Sequence, residues 1–246
     1  MINEERFINA ISKVSMKQSR EGIGTLAEKP LHRILKYYVE PDSSRHEVKL
    51  LGSVVDVFNE DGVFEIQTSS FFPLVKKLKK LLLHYKVTIV RPIIAAKTVV
   101  WLNKEDREVL ETRKSPKKRG FTDILPELSS LGEIFPDDNL TVKLLLLSAE
   151  EYKYLDGYGN TKKKRATKLF LLPHRIISEV DIKSIGDILA ILPNLQSPFS
   201  SKDFSKAFGL RARHSYYALK FLVERGVVKK IGKEKNAFLY EMKNEY

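Results

Sequence analysis

Cysteine is absent from the 246 residues. That excludes disulfides, thiolate zinc sites and cysteine nucleophiles in one step, and it fits a reducing cytoplasm, the expected location. No stretch approaches the ~18 consecutive apolar residues of a membrane span. Apolar runs such as those around Leu81–Leu83 and Leu144–Leu147 are of core-helix or core-strand length. The opening MINEERFINAISK puts Glu4 and Glu5 ahead of its first base and is helix-like rather than a basic segment followed by an apolar one, so no signal peptide is expected. There is no internal repeat and no low-complexity tail. A chain of this length buries roughly 70% of its unfolded surface and needs neither disulfide nor structural metal to hold it.

Acid is in short supply as well. Against 43 Lys and Arg stand 31 Asp and Glu, a formal charge of +12, and the pI is near 9.6. Such a surplus points to a polyanionic partner, DNA before RNA, and not to a membrane. Its distribution is uneven. RKSPKKR (Arg113–Arg119) and KKKRATK (Lys162–Lys168) each place five basic residues in seven. Lys117, Lys118, Arg119, Lys163, Lys164 and Arg165 are thereby candidates to follow a phosphate backbone, although such runs are also common in solvated loops.

Periodicity sets out the elements. Ile23, Leu26, Leu31, Ile34 and Leu35 predict an amphipathic helix within Glu21–Tyr38, its main part from about Ala27 with Pro30 in the first turn. EVKLL and VVDVFN read as strands, Asp61-Gly62 as a hairpin turn and VFEIQT as the return strand. FFPLVKKLKKLLLHY predicts a basic amphipathic helix carrying Lys76 and Lys77, and KVTIVRPI and KTVVWLN predict two more strands. After a less regular stretch containing the buried strand NLTVKLLLL, the character changes near residue 184. A short helix is followed by a second, which starts at Ser200/Ser201 with an acid in its first turn. Gly209-Leu210 then turns into a longer helix closed by Gly226, and VVKKI and AFLYEM pair as a hairpin.

Two acids interrupt the first hairpin. Asp56 and Glu65 lie on adjacent antiparallel strands, whose ~4.8 Å spacing brings two carboxylates within reach of one cation. Mg2+ favours one or two carboxylates together with water and substrate phosphate. Gln67, two residues after Glu65, projects to the same strand face and is a candidate to hold the attacking water.

Asp56 followed by Glu65-Ile-Gln67 resembles the PD-(D/E)XK nuclease motif, and the helix–strand–strand–strand–helix–strand order resembles the core of that superfamily. Gly24-Thr25-Leu26-Ala27-Glu28 is similar to the Gly-x-x-x-Glu pattern of the Holliday-junction-resolvase branch, which makes Glu28 a third metal-site acid. The sequence departs from the pattern twice: Val54-Val55 replaces the proline before Asp56, and Gln67 stands where Lys is usual. Lys76 or Lys77 would then supply the missing charge. EGIGTLAEKPLH, DVFNEDGVFEIQTSSF and the RKSPKK run also resemble a widespread group of uncharacterised Firmicute proteins. The nuclease resemblance covers residues 20–105, and residues 184–246 resemble a winged helix-turn-helix.

The resemblances imply an α/β protein: a PD-(D/E)XK-like αβββαβ core over 1–110, a basic extension over 111–183 adding a strand and a helix, and a winged helix-turn-helix over 184–246. Asp56, Glu65 and Gln67 would be catalytic, and Glu28, Asp56 and Glu65 would bind Mg2+ or Mn2+ in a DNA endonuclease. In the third helix Ala212, Tyr216, Leu219, Leu222 and Val223 are expected inside. Arg211, Arg213, His214, Tyr217 and Lys220 would then face DNA, with Lys229, Lys230, Lys233 and Lys235 on the wing against phosphates. The alternatives are a non-enzymatic DNA-binding regulator on a degenerate nuclease fold, and a winged helix used for protein contact or a homodimer. His32, His84, His174 and His214 show no metal-ligand spacing and are expected on surfaces, while Glu47 is a strand end near the acids.

Overall fold

The computed structural model describes residues 2–21, 30–156 and 166–243. In chain order the elements are α1 (Glu4–Glu21), α2 (Pro30–Val39), β1 (His46–Leu50), β2 (Ser53–Asn59), β3 (Gly62–Ile66) and α3 (Val75–Leu81). Next come β4 (Val87–Leu102), β5 (Val109–Lys114), α4 (Leu125–Leu131), β6 (Leu140–Tyr154) and β7 (Thr167–Ile182). The chain ends with α5 (Ile185–Ile191), β8 (Phe199–Ser200), α6 (Ser201–Ala207), α7 (Ala212–Glu224), β9 (Val228–Glu234) and β10 (Ala237–Met242). The protein is mixed α/β, built as two units. One takes Met1–Thr68, Val90–Gly120 and Leu144–Val180, the other Ser69–Ile89, Phe121–Lys143 and Asp181–Tyr246. Residues 111–183, expected as one connecting region, are thus shared between the two. Among the described residues no helix is long and apolar enough to cross a membrane.

The first unit rests on a sheet ordered β1-β2-β3-β4-β6-β7, with β5 paired to β4. KVTIVRPI and KTVVWLN, expected as two strands, are one strand of 16 residues. Pro92 removes one donor but fixes a φ compatible with extended chain, so the strand continues through it. Phe7, Ala10 and Val14 of α1 and Leu31, Ile34, Leu35 and Tyr38 of α2 recur at helical spacing and are buried with Ile66, Val90, Leu145, Leu147 and Ile176 in a single core. Phe7 meets Tyr38 edge-on, ring centroids 5.5 Å apart.

The β2–β3 hairpin pairs Asn59 with Gly62 and Val57 with Phe64, leaving Glu60-Asp61 as its two-residue loop. Gly62 has φ +118°, a conformation open only to glycine without strain, and the Asp61 N–H donates to Asn59 Oδ1 at 3.0 Å.

The second unit contains α3, α4, the sheet β8-β10-β9 and helices α5–α7. Phe71, Phe135, Phe199, Phe204 and Phe221 are fully buried in it. Ser184 with Asp187 and Ser200 with Asp203 form capping boxes that start α5 and α6. Helix α3 has only seven residues, shorter than FFPLVKKLKKLLLHY suggests, because its start is taken by a 3-10 turn over Phe72–Leu74. The buried face of α7 differs from the expected one. Ser215, Ala218, Leu219, Phe221 and Leu222 are inside, while Ala212, Tyr216 and Val223 are exposed, Tyr216 by 64%. Helix α4 packs against α7, with Phe135 and Phe221 rings 6.3 Å apart. Replacing Phe221 by alanine is expected to cost the second unit ~3–5 kcal/mol. Trp101, the one tryptophan, lies in the first unit. In urea the circular-dichroism transition of Phe221→Ala should therefore move to lower denaturant than the Trp101 fluorescence transition.

Candidate functional site: an acidic row beside a basic cleft

Asp56 and Glu65 are each one residue beyond the Val57–Phe64 pair, so they end the β2–β3 ladder side by side. Glu47 is level with Asp56 on the other side, between the pairs His46–Val57 and Val48–Val55. Three strands thus carry three carboxylates in one row. Glu47 has φ +54°, in the left-handed region that costs a non-glycine residue ~1–2 kcal/mol, so this turn of the backbone is held by its surroundings.

Helix α2 lays His32 and Lys36 over the row. His32 Nε2 lies 3.1 Å from Asp56 Oδ2, and Lys36 Nζ, one helical turn on, lies 2.9 Å from Glu47 Oε1. Lys36 is itself buried. The Ile66 N–H donates to the same Asp56 Oδ2 at 2.7 Å. Burial pushes the Asp56 carboxyl up, but the His32 hydrogen bond and charge and the Ile66 N–H outweigh it and hold the group below the usual aspartate range. Asp56 is therefore an ionised carboxylate anchored through one oxygen. Glu65 is 4% exposed.

Gln67 is the first residue past β3. Its N–H donates to the Val90 carbonyl at 2.9 Å, and its carbonyl accepts from Arg91 Nη1 at 3.0 Å. Next to it, Thr68 opens a cleft of about 510 Å3 that also reaches Leu31, the neighbour of His32. Arg91, Lys97, Lys117, Arg119 and Lys168 line this cleft with Glu151.

The residues expected from sequence are thus distributed as follows. Asp56 and Glu65 lie on facing strands and Gln67 follows β3, its backbone bonded to Val90 and Arg91; Glu28, Lys163, Lys164 and Arg165 lie outside the described residues. Lys117 and Arg119 line the cleft, and Lys118 is exposed beside them. Lys76 and Lys77 belong to the second unit, while the cation fastened to Gln67 is Arg91. Arg211, Arg213, His214, Tyr217 and Lys220 are exposed on α7 and its N-cap, and Lys233 and Lys235 are exposed at the hairpin end. His32, Lys36, Arg91, Lys97, Glu151 and Lys168 were missed as site residues. For His32 the available signal is helical spacing alone: it is one turn from Lys36, on the polar side of α2. Among the described residues no three His, Asp or Glu side chains gather closely enough to hold a metal ion.

A family model described as "Domain of unknown function (DUF8091)" matches residues 29–183, more than half of the chain. The chain belongs to the DUF8091 family. The DUF8091 segment contains the whole acidic row and the described lining of the basic cleft, and ends before Ser184. The chain is also 32% identical over 220 residues to an uncharacterized protein of Treponema pallidum (strain Nichols), which covers 89% of this chain and 86% of that protein. No solved structure matches it.

Proposed function

We propose that the protein hydrolyses phosphodiester bonds in DNA, with Mg2+ or Mn2+ held between Asp56 and Glu65. The observation that carries this reading is the Asp56 carboxylate: it is ionised, accepts from the Ile66 N–H through Oδ2 with His32 Nε2 3.1 Å from the same oxygen, and has the buried Glu65 on the facing strand. Both carboxylates suit a hard divalent cation, which keeps most of its remaining positions for water and phosphate. When bound, such an ion makes a bound water more acidic and polarises the scissile phosphate.

The chain's own groups have separate tasks. The Ile66 N–H and His32 keep Asp56 aligned, as an outer hydrogen-bonded partner aligns a metal ligand. Gln67 orients the attacking water, and Arg91, fixed on the Gln67 carbonyl, offers positive charge where the superfamily usually has lysine. Glu28 remains the third acid by resemblance. The run α2–β1–β2–β3, followed by β4 in the same sheet, supports a PD-(D/E)XK-like core; the helix between β3 and β4, α3, falls in the second unit.

The run α5–β8–α6–α7–β9–β10 supports a winged helix that delivers the enzyme to DNA, with Arg211 and Arg213 at the N-terminal end of its longest helix. Arg211→Ala and Arg213→Ala should each weaken DNA binding and lower the slope of log K against log salt by about one, read by fluorescence anisotropy over a salt series.

One observation favours the rival, a DNA-binding regulator. Lys36 already sets positive charge against Glu47, and His32 sits on Asp56. The experiment that separates them is incubation of the purified protein with supercoiled, linear, branched and single-stranded DNA in Mg2+ and in Mn2+. Cleavage that chelator stops is expected. DNA left intact under every condition, with binding retained, leaves the regulator.

A further inference from the structure

The basic cleft has an internal order that a patch of surface lysines lacks. Neighbouring strands β4, β6 and β7 contribute Lys97, Glu151 and Lys168 respectively. Glu151 Oε2 lies 2.7 Å from Lys97 Nζ and 3.2 Å from Lys153 Nζ, and Oε1 lies 2.9 Å from Lys168 Nζ. The carboxylate is 4% exposed, so it is a fixed anchor rather than a partner borrowed from solvent. Three lysines on one carboxylate leave a surplus of two positive charges, and Arg119 and Lys117 add to it from the segment after β5. Phe170 lines the same space, its ring stacked on Tyr152 with centroids 4.8 Å apart and 26° between planes.

Cations that follow a backbone, interleaved with a ring offering its face, are the combination by which proteins hold single strands. A cavity of about 510 Å3 is the size of a small-ligand pocket and takes about one or two nucleotides. A duplex, whose major groove alone is ~12 Å wide, does not enter it. We propose that this cleft binds a single-stranded polynucleotide, its phosphates on Lys97, Lys168 and Arg119 and a base against Phe170. Glu151 is the positioning residue that holds the lysines in place. The role of the bound strand as substrate rests on the nuclease reading of Asp56 and Glu65; the binding itself does not.

The test measures a fluorescein-labelled oligothymidylate by anisotropy, in chelator so that no cleavage intervenes, against a duplex of equal length. The single strand should bind at least about tenfold more tightly to this cleft than the duplex. Glu151→Gln is the decisive variant. It raises the net charge by one, so a merely electrostatic surface binds the strand more tightly, whereas a cleft organised by Glu151 binds it about tenfold more weakly, as the lysines lose their charged anchor. Lys168, whose side chain is 59% exposed, can be removed with little cost to folding. Lys168→Ala and Phe170→Ala should each weaken binding at least about fivefold, the latter through lost stacking. Unchanged or tighter binding by Glu151→Gln, or no effect of Lys168→Ala and Phe170→Ala, overturns the proposal. Because binding is read without cleavage, intact DNA in the nuclease assay overturns the carboxylate site and leaves this cleft standing. Cleavage that ignores the cleft variants does the reverse.

Discussion

Asp56→Asn is expected to lower metal-dependent DNA cleavage at least ~1,000-fold, about 4 kcal/mol of transition-state stabilisation. The fold should hardly notice. Asparagine has nearly the shape of aspartate, and its carbonyl oxygen still accepts from the Ile66 N–H, which lies 2.7 Å from the native carboxylate. What disappears is the negative charge that a divalent cation needs and that His32 helps to keep ionised. The stability cost of exchanging a charged for a neutral acceptor there is about 1 kcal/mol. On the proposed reading, in which Asp56 and Glu65 serve one ion, Glu65→Gln should act alike, and the double variant should cost little more than either alone. Initial rates on supercoiled plasmid, compared with urea midpoints of the same samples, separate lost chemistry from lost folding. Wild-type rates in a variant with an unchanged midpoint would sink the site.

The second large effect concerns acid. Burial pushes the Glu151 carboxyl up, but hydrogen bonds and charge from Lys168 and Lys97 outweigh it and take the group from 4.5 down to about 2. A carboxyl depressed by folding stabilises the folded state above its unfolded value, and this contribution drains away as pH falls toward the folded one. The shift is equivalent to about 3 kcal/mol at neutral pH. That amount should be lost between about pH 4.5 and pH 2. Glu151→Gln should therefore be about 3 kcal/mol less stable than the native protein at neutral pH. The difference should shrink steadily through that window. Urea titrations followed by Trp101 fluorescence, run on both proteins at each pH, measure it; a constant difference at all pH values would rule the linkage out.

Local signals reached much of this architecture. Alternation in VVDVFN and VFEIQT with Asp61-Gly62 between them located the hairpin, although its loop is Glu60-Asp61, one position earlier, and Gly62 takes its positive φ as the first residue of β3. Ser200 with Asp203 marked a helix start because a capping box is written in four consecutive positions. Where sequence reading stopped, the determining contact joins residues remote in the chain. His32 meets Asp56 across 24 positions, and nothing in its spacing announces a partner. The cleft draws on both dense runs, Lys117 and Arg119 from RKSPKKR and Lys168 from KKKRATK, but its order also needs isolated residues on separate strands, Arg91 and Lys97 on β4 and Glu151 on β6. Charge density along a sequence ignores which strands become neighbours. On α7 hydrophobicity alone favoured Tyr216 for the inside, whereas the small Ser215 and Ala218 are the buried ones, sizes that allow another helix to come near.

The interleaving of the two units has a consequence for biosynthesis. Multidomain chains usually finish one domain while the ribosome is still making the next. Here strand β7, last in the order of the large sheet, is not synthesised until residue 182, and the helix that α4 packs against arrives only with residues 212–224. Both units therefore wait on residues beyond 166. A nascent chain stalled at residue 110, or an expression fragment cut there, carries β1–β4 without β6 and β7 and lacks Leu145, Leu147 and Ile176, which share one core with Val90 and Ile66.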